Sequence, residues 1–235
     1  MNVMSATNFC LPLPPILENE RVKLVPFDIS VHPKLHVDAA PPVSFYDFLP
    51  IGPFNNEQEL ITSFWEKRIK NGPGETAFAV YDKSKSDHAY AGIITYINSS
   101  AEDLVTEIGF VMILPVFQRT HVTSNAVGIL MNYALNLPAD GGLGLRRVVW
   151  TASASNAPSV GAAKRMGFQM EGVMRWARIW PEAKIRGSGG VRVREEDPRA
   201  EEFAYGRNVA VLSVCWDDWE AGAKEKVNAV MARTK

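Results

Sequence analysis

Two rhythms of apolar residues alternate along this chain, and the change from one to the other is clearest between Leu104 and Tyr133. Leu104 to Leu114 is a β-branched and apolar run broken by Glu107 and Gly109, the pattern of a mostly buried strand with one charged residue facing a cleft. Pro115 ends that strand. From Thr120 the spacing becomes Val122, Ala126, Ile129, Leu130 and Tyr133, the stripe of an amphipathic helix lying on a sheet. A strand therefore runs into a helix through VFQRTH. Such a junction aims free backbone N–H groups and the positive end of a helix dipole at one point, an arrangement that suits a diphosphate.

The flanking segments repeat the alternation. RVKLVPF, from Arg21, reads as a first strand, and Asp28 to Pro53 as a short helix followed by a loop carrying Phe45, Tyr46 and Phe48. Those aromatics either line a pocket or cover the core edge. Asn55 or Asn56 caps a helix through EQELITSFWEKRIK that NGPG stops. TAFAVYDK and AYAGIITYIN form an antiparallel hairpin, and RRVVWTAS a fifth strand. Asn156 caps the helix NAPSVGAAKRM, with Pro158 in its first turn and Gly167 beyond its end. FQMEGVMRWARIW is a further strand. The connection 181–208 holds six acidic and six basic residues and four glycines, the composition of a substrate-side flap or a partly disordered loop. An apolar strand from Val209 to Trp216 and a helix to Lys235 close the chain. The organisation expected is an extended Pro-rich leader, 1–17, and a single α/β domain, 18–235.

Charge and composition exclude several classes. With 25 basic and 26 acidic residues the net charge is −1, and neither a nucleic-acid partner nor a membrane surface is expected. No apolar run approaches the roughly 20 residues that span a bilayer, and the N-terminal segment lacks the form of a secretory signal, so the expected location is cytoplasmic. Cys10 and Cys215 suggest no disulfide framework, and no Cys/His spacing suggests a metal site.

Three motifs in order, EIGFVMILPVFQR, SNAPSVGAAKRMGF and GFQMEGVMRW, resemble the GNAT acyltransferases, the acetyl-CoA-dependent N-acetyltransferase superfamily. The nearest branch is the one that includes the ribosomal-protein N-terminal acetyltransferases. The resemblance covers roughly residues 18 to 220 and implies a mixed, mostly antiparallel sheet of about seven strands, splayed in the middle, with helices on both faces. It further implies that acetyl-CoA enters the splay, that its pantetheine arm pairs with the backbone of Val111, Met112 and Ile113, and that its diphosphate rests on Gln118, Arg119, Thr120, His121, Val122, Thr123 and Ser124. Asn156 would then bind the pantetheine amides and Ser159 would face the thioester sulfur. His121 and Thr123 stand where the family usually places small residues, which leaves Arg119, His121 and the hydroxyls of Thr120, Thr123 and Ser124 as side-chain contacts to phosphate. Relatives that form dimers make a homodimer an expectation as well.

Acetyl transfer to an amine needs a base and an acid. Glu107 is the candidate base. Strand alternation places it with Val105, Gly109 and Val111 on the cleft face, while Ile108, Phe110 and Met112 enter the core; a salt bridge to Arg146 or Arg175 is the structural alternative. Ser159 is the candidate proton donor, because Ala163 occupies the position where many family members carry a tyrosine; a plain helix cap would also explain it. Trp176 and Trp180, with Phe45 and Tyr46, are candidates for the acceptor wall. His32, His36, His88 and His121 are read as surface or loop residues. The function expected is an N-acetyltransferase acting on a small amine or a protein N-terminus. The competing reading is a catalytically inactive acyl-CoA-binding or interaction module on the same scaffold.

Overall fold

Leu17–Glu18 (β1) and Val22–Pro26 (β2) open an antiparallel run that continues through Thr76–Asp82 (β3), Ala89–Ser100 (β4) and Val105–Ile113 (β5). These belong to a computed structural model that describes residues 8–85 and 87–233. Arg147–Ser153 (β6), Gln169–Trp180 (β7) and Tyr205–Cys215 (β8) complete one sheet of eight strands in the order β1-β2-β3-β4-β5-β6-β8-β7. The short pair β1 is the strand beyond the seven that the sequence suggests. Only β5 and β6 run parallel, and they pair for just three positions, from Val105 opposite Arg147 to Glu107 opposite Val149. Beyond Glu107 the two strands part, which opens the sheet in its middle.

Helices cover both faces. On one, His121–Leu135 (α3) supplies Val122, Ala126, Ile129 and Leu130 to a core shared with Ile108, Val148, Trp150, Ala152, Ala210, Leu212 and Val214. Ala157–Arg165 (α4) adds Ala163 to the same core, and the C-terminal Lys224–Met231, named α6 below, adds Val227 and Val230. Trp216–Asp218 (α5) leads into α6 through a π-helical segment. On the other face the short helix His32–Asp38 (α1) precedes Glu57–Leu60 (α2), which runs on as π-helical turns Ile61–Ile69. Leu60, Phe64, Trp65 and Ile69 bury there against Phe27, Ile93 and Met112. Asn56 caps α2 by accepting from the Glu59 amide at 3.0 Å.

A bulge in β5 corrects the expected alternation. The β4–β5 register shifts between Ile93 and Thr95, and Phe110 sits at φ 41, in left-handed space. One extra residue reverses which side chains point to which face. Ile108, Val111 and Ile113 therefore pack with α3, whereas Phe110 and Met112 pack with α2. Opposite the bulge, Gly92 has φ +141, and a Cβ there would lie 2.1 Å from the Met112 carbonyl oxygen, so β4 needs a glycine at that point.

The histidines differ from expectation too. His32 and His36 are buried, and His36 lies between the hydroxyls of Tyr90 at 3.2 Å and Tyr46 at 3.0 Å. His121 pairs with the buried Asp82 at 3.1 Å; of the four only His88 is exposed. The expectations for the first seven leader residues, for Ser86 in the hairpin loop and for Lys235 fall outside the described residues. The rest of the leader lies along the sheet, with Phe9 stacked on Tyr96 at 6.4 Å and the Pro12 carbonyl accepting from Tyr133 at 2.7 Å.

Candidate active site

Where β5 and β6 part, a cleft of about 2290 Å³ opens. That is larger than the 300–1,000 Å³ typical of one small-ligand pocket, so it has room for two substrates together. Its lining includes Glu107, Val111, Ile113, Gln118 to His121, Thr123, Ser124, Asn156 and Ser159, so the structure brings most of the sequence candidates to one place.

Glu107 is buried at 7% exposure and has neither of the cationic partners considered for it. Its oxygens accept from the Thr151 hydroxyl at 2.5 Å and the Asn98 side-chain amide at 2.9 Å. Each carboxylate oxygen has two lone pairs, so acceptor capacity remains toward the cleft. Asn98 also ties in a second acid, since its backbone N–H donates to Glu75 at 3.2 Å. Burial raises the Glu75 carboxyl; the bond from Asn98 opposes this, and the neighbouring Glu107 adds to it. Sequence reading missed Glu75, Asn98 and Thr151, because polar residues on different strands meet only once the sheet register is fixed.

Ser159 lies at the start of α4. The Asn156 side chain accepts from its amide at 3.2 Å, the capping bond that the sequence predicts. Its hydroxyl accepts from the Trp150 indole N–H at 3.0 Å. That contact occupies a lone pair and leaves the Ser159 proton to be donated elsewhere.

At the turn into α3 the side chains are more committed than expected. Gln118 donates to the Ile113 carbonyl at 2.9 Å, and Thr120 caps Val122 while donating to Phe117 at 2.6 Å. Ser124 donates to the His121 carbonyl at 3.0 Å, and His121 is held by Asp82. Burial alone would raise Asp82, yet the hydroxyl and amide of Ser84, together with His121, hold its carboxyl below the ordinary value. What the turn offers an anion is therefore its backbone amides, shaped by the left-handed Arg119 at φ 60, with the side chains of Arg119 and Thr123. This donor set fits a diphosphate. Four other candidates do not line the cleft. Met112 and Val122 are fully buried, Tyr46 lies beneath Gly52 at 2% exposure, and Trp176 is turned away. A second bulge, with Trp176 at φ 53, lays that indole over Gly206 on the opposite face of the sheet.

The far end of the cleft is basic and aromatic. Phe45 and Trp180 line it, with Phe203, Arg178, Lys184 and Arg207. The polar connection after β7 is docked there: Lys184 donates to the Leu49 and Ile51 carbonyls at 2.9 and 2.7 Å, and Arg186 pairs with Asp47 at 3.2 Å. It therefore closes that end of the cleft against the aromatic loop. Burial lowers the Lys184 ammonium to about 8, against the pull of Asp47. Glu171, from the third motif, is explained structurally by Arg147 and Ser213, which hold its carboxyl down at about 2.

Comparison with known proteins agrees with this geometry. The family model described as "Acetyltransferase (GNAT) domain" matches residues 21–169. A solved structure described as a probable acetyltransferase of the GNAT family, from Chromobacterium violaceum ATCC 12472, is 26% identical, with 93% of this chain and 94% of that one covered and a TM-score of 0.69. A GCN5-related N-acetyltransferase from Brucella melitensis superimposes with a TM-score of 0.74 at 24% identity, over 98% of this chain and 91% of that one. A chimera of the spermidine N-acetyltransferase SpeG from Vibrio cholerae shares the fold at 14% identity, with a TM-score of 0.58 over 85% and 98%. Comparison with curated protein sequences gives no match. With its parted central strands, its amide-lined turn and a family model spanning well over half its length, the chain belongs to the GNAT acetyltransferases.

Proposed function

We propose that this protein is an acetyl-CoA-dependent N-acetyltransferase that moves the acetyl group directly to a primary amine, of a small molecule or a protein N-terminus, within one ternary complex. The observation that carries this reading is Glu107, buried and hydrogen-bonded by two neutral donors at the point where β5 and β6 part. Acetyl-CoA brings an activated thioester. The β5 backbone around Val111 and Ile113 would hold its pantetheine arm as an added strand is held, with Asn156 nearby, and the amides of the Arg119–Ser124 turn would hold its diphosphate.

Glu107 takes the proton of the attacking amine, directly or through a water, and Thr151 and Asn98 keep its carboxylate aimed. Ser159 hydrogen-bonds the departing thiolate and passes on to it a proton taken up from solvent, so that its own hydroxyl is restored, with Trp150 fixing the orientation of that hydroxyl. Holding amine and thioester together supplies much of the gain, since proximity alone can be worth roughly 7 to 11 kcal/mol. Within the family, the chain resembles most the branch that includes the ribosomal-protein N-terminal acetyltransferases.

The second reading, a binding module without turnover, draws support from the commitment of Thr120, His121 and Ser124 to internal bonds. Calorimetry with acetyl-CoA followed by thiol release against a panel of amines separates the two. Binding with release is the expected result, binding without release for any amine supports the module, and absence of binding defeats both.

A further inference from the structure

Arg178 and Arg207 are directly paired across β7 and β8. Like charges facing each other on one sheet face repel, and a sheet normally avoids the arrangement or neutralises it. Here nothing neutralises it. Among the described residues neither guanidinium meets a carboxylate: Arg178 donates only to the carbonyl of its neighbour Ala177, at 2.8 Å, and the buried Nε of Arg207 has no partner. In the nearby connection Arg186 pairs with Asp47, Arg192 with Glu182 and Arg199 with Glu202, while Arg194 is exposed to solvent. Arg207 instead lies over Trp180, its guanidinium carbon 4.1 Å from the ring centroid, in a place where burial and then Arg178 lower its guanidinium to about 10. It remains charged at neutral pH. A half-buried cation without a counter-ion is costly unless something arrives to pair with it.

The two arginines sit at the acceptor end rather than on the diphosphate seat. Along β8, Ala210, Leu212 and Val214 pack toward α3, so Arg207 and Val209 point to the opposite face. By the same count on β6, Trp150 and Ala152 pack toward α3, which puts Thr151, the partner of Glu107, on the face of Arg207. The α3 turn lies across the sheet. Both arginines, Trp180 and Glu107 line the same cleft.

We infer that the acceptor is an amine that also carries a carboxylate, held by Arg178 and Arg207 while its apolar part lies against Trp180 and its amine faces Glu107. This rests on the acetyl-transfer reading and narrows it to an amino-acid-like acceptor. A planar carboxylate suits the forked donors of two guanidiniums, and the aromatic rings at this end favour an apolar body.

The test measures acetyl-CoA-dependent thiol release with matched acceptors, L-phenylalanine against phenethylamine and L-tryptophan against tryptamine. In parallel, calorimetry follows phenylacetate binding to the protein with acetyl-CoA present. The carboxylate-bearing member of each pair should have the higher kcat/KM by tenfold or more. That preference should fall to near unity in Arg207→Met, where a charged partner is lost but the packing on Trp180 is kept. Arg178→Gln, on a more open side chain, should reduce the preference in the same direction and guards against a misfolded Arg207 variant. Phenylacetate should bind the parent and neither variant. Equal use of both members, or preference for the decarboxylated one, overturns the inference and leaves acetyl transfer standing. Phenylacetate binding without thiol release from any acceptor leaves the carboxylate seat standing and defeats the transfer reading. Failure of phenylacetate to bind, with no discrimination between acceptors, overturns the carboxylate seat.

Discussion

Thr151 reaches across the widening gap between β6 and β5 to donate its hydroxyl hydrogen to Glu107, two residues beyond the last paired position on its own strand. The bond holds the carboxylate at the mouth of the opening. Glu107→Gln keeps the size but replaces one acceptor oxygen with an NH2 donor, so Thr151 and Asn98 cannot both go on donating as they do to the carboxylate. Turnover should fall by about 10²- to 10⁴-fold, the range for a lost general base, with little change in acetyl-CoA binding. A pH–rate profile checks the assignment: if parent and variant trace the same curve, Glu107 takes no part in proton transfer.

Ser159→Ala separates an acid from a cap. Its amide still donates to Asn156, so α4 keeps its first turn, but the Trp150 indole N–H loses its acceptor. Stability should drop by about 1 to 3 kcal/mol for the unsatisfied donor, and kcat by roughly a hundredfold. Loss of melting temperature with kcat unchanged would mean that the hydroxyl only supports Trp150.

The strands and the two helix caps were legible in the sequence because alternation and capping are local signals. Asn56 and Asn156 accept from the amides that their spacing implies, and the strand-to-helix junction at Pro115 lies where the apolar rhythm changes. What escaped were events that shift register. A bulge at Phe110 leaves no mark in an apolar run, yet it moved Phe110 and Met112 to the opposite core; another at Trp176 removed that ring from the cleft. Asn98 and Thr151 escaped for a related reason, since neither meets Glu107 until three strands are aligned. His32 and His36 were misplaced because a helix of seven residues between prolines resembles a surface loop, while their burial depends on Tyr46, Tyr81 and Tyr90 from elsewhere. Arg178 falls in a strand pattern and Arg207 in the polar connection 181–208, and nothing local in the sequence relates the two; only the β7–β8 register sets them face to face.

His36 should make the fold acid-sensitive. Burial lowers its imidazole from 6.5 to about 4, so the folded protein resists a proton that the unfolded chain accepts. Below pH 6.5 the unfolded state binds more protons, and stability falls as pH drops toward 4. At about 1.4 kcal/mol per unit, the loss approaches roughly 3 kcal/mol. Melting temperatures between pH 7 and 4 for the parent and His36→Gln should converge as pH falls. Parallel curves would show that this imidazole does not govern the acid limb.

Lys184 should act at the other end of the pH scale. It ties the connection after β7 to the aromatic loop through the Leu49 and Ile51 carbonyls, and burial lowers its ammonium from 10.5 to about 8. Below pH 8 both folded and unfolded chains carry the proton, and the cost of burying that charge is felt in full. Between pH 8 and 10.5 the folded protein releases a proton that the unfolded chain retains, so this group makes folding more favourable as pH rises. The neutral amine can still donate to both carbonyls. Lys184→Met removes the titration and the two bonds together, so the melting-temperature gap between parent and variant should widen from pH 7.5 to 9.5. Partial exposure screens the effect and keeps it modest. A gap that is constant over that range would mean that the ammonium stays solvated and that the two carbonyls, rather than burial, set its behaviour.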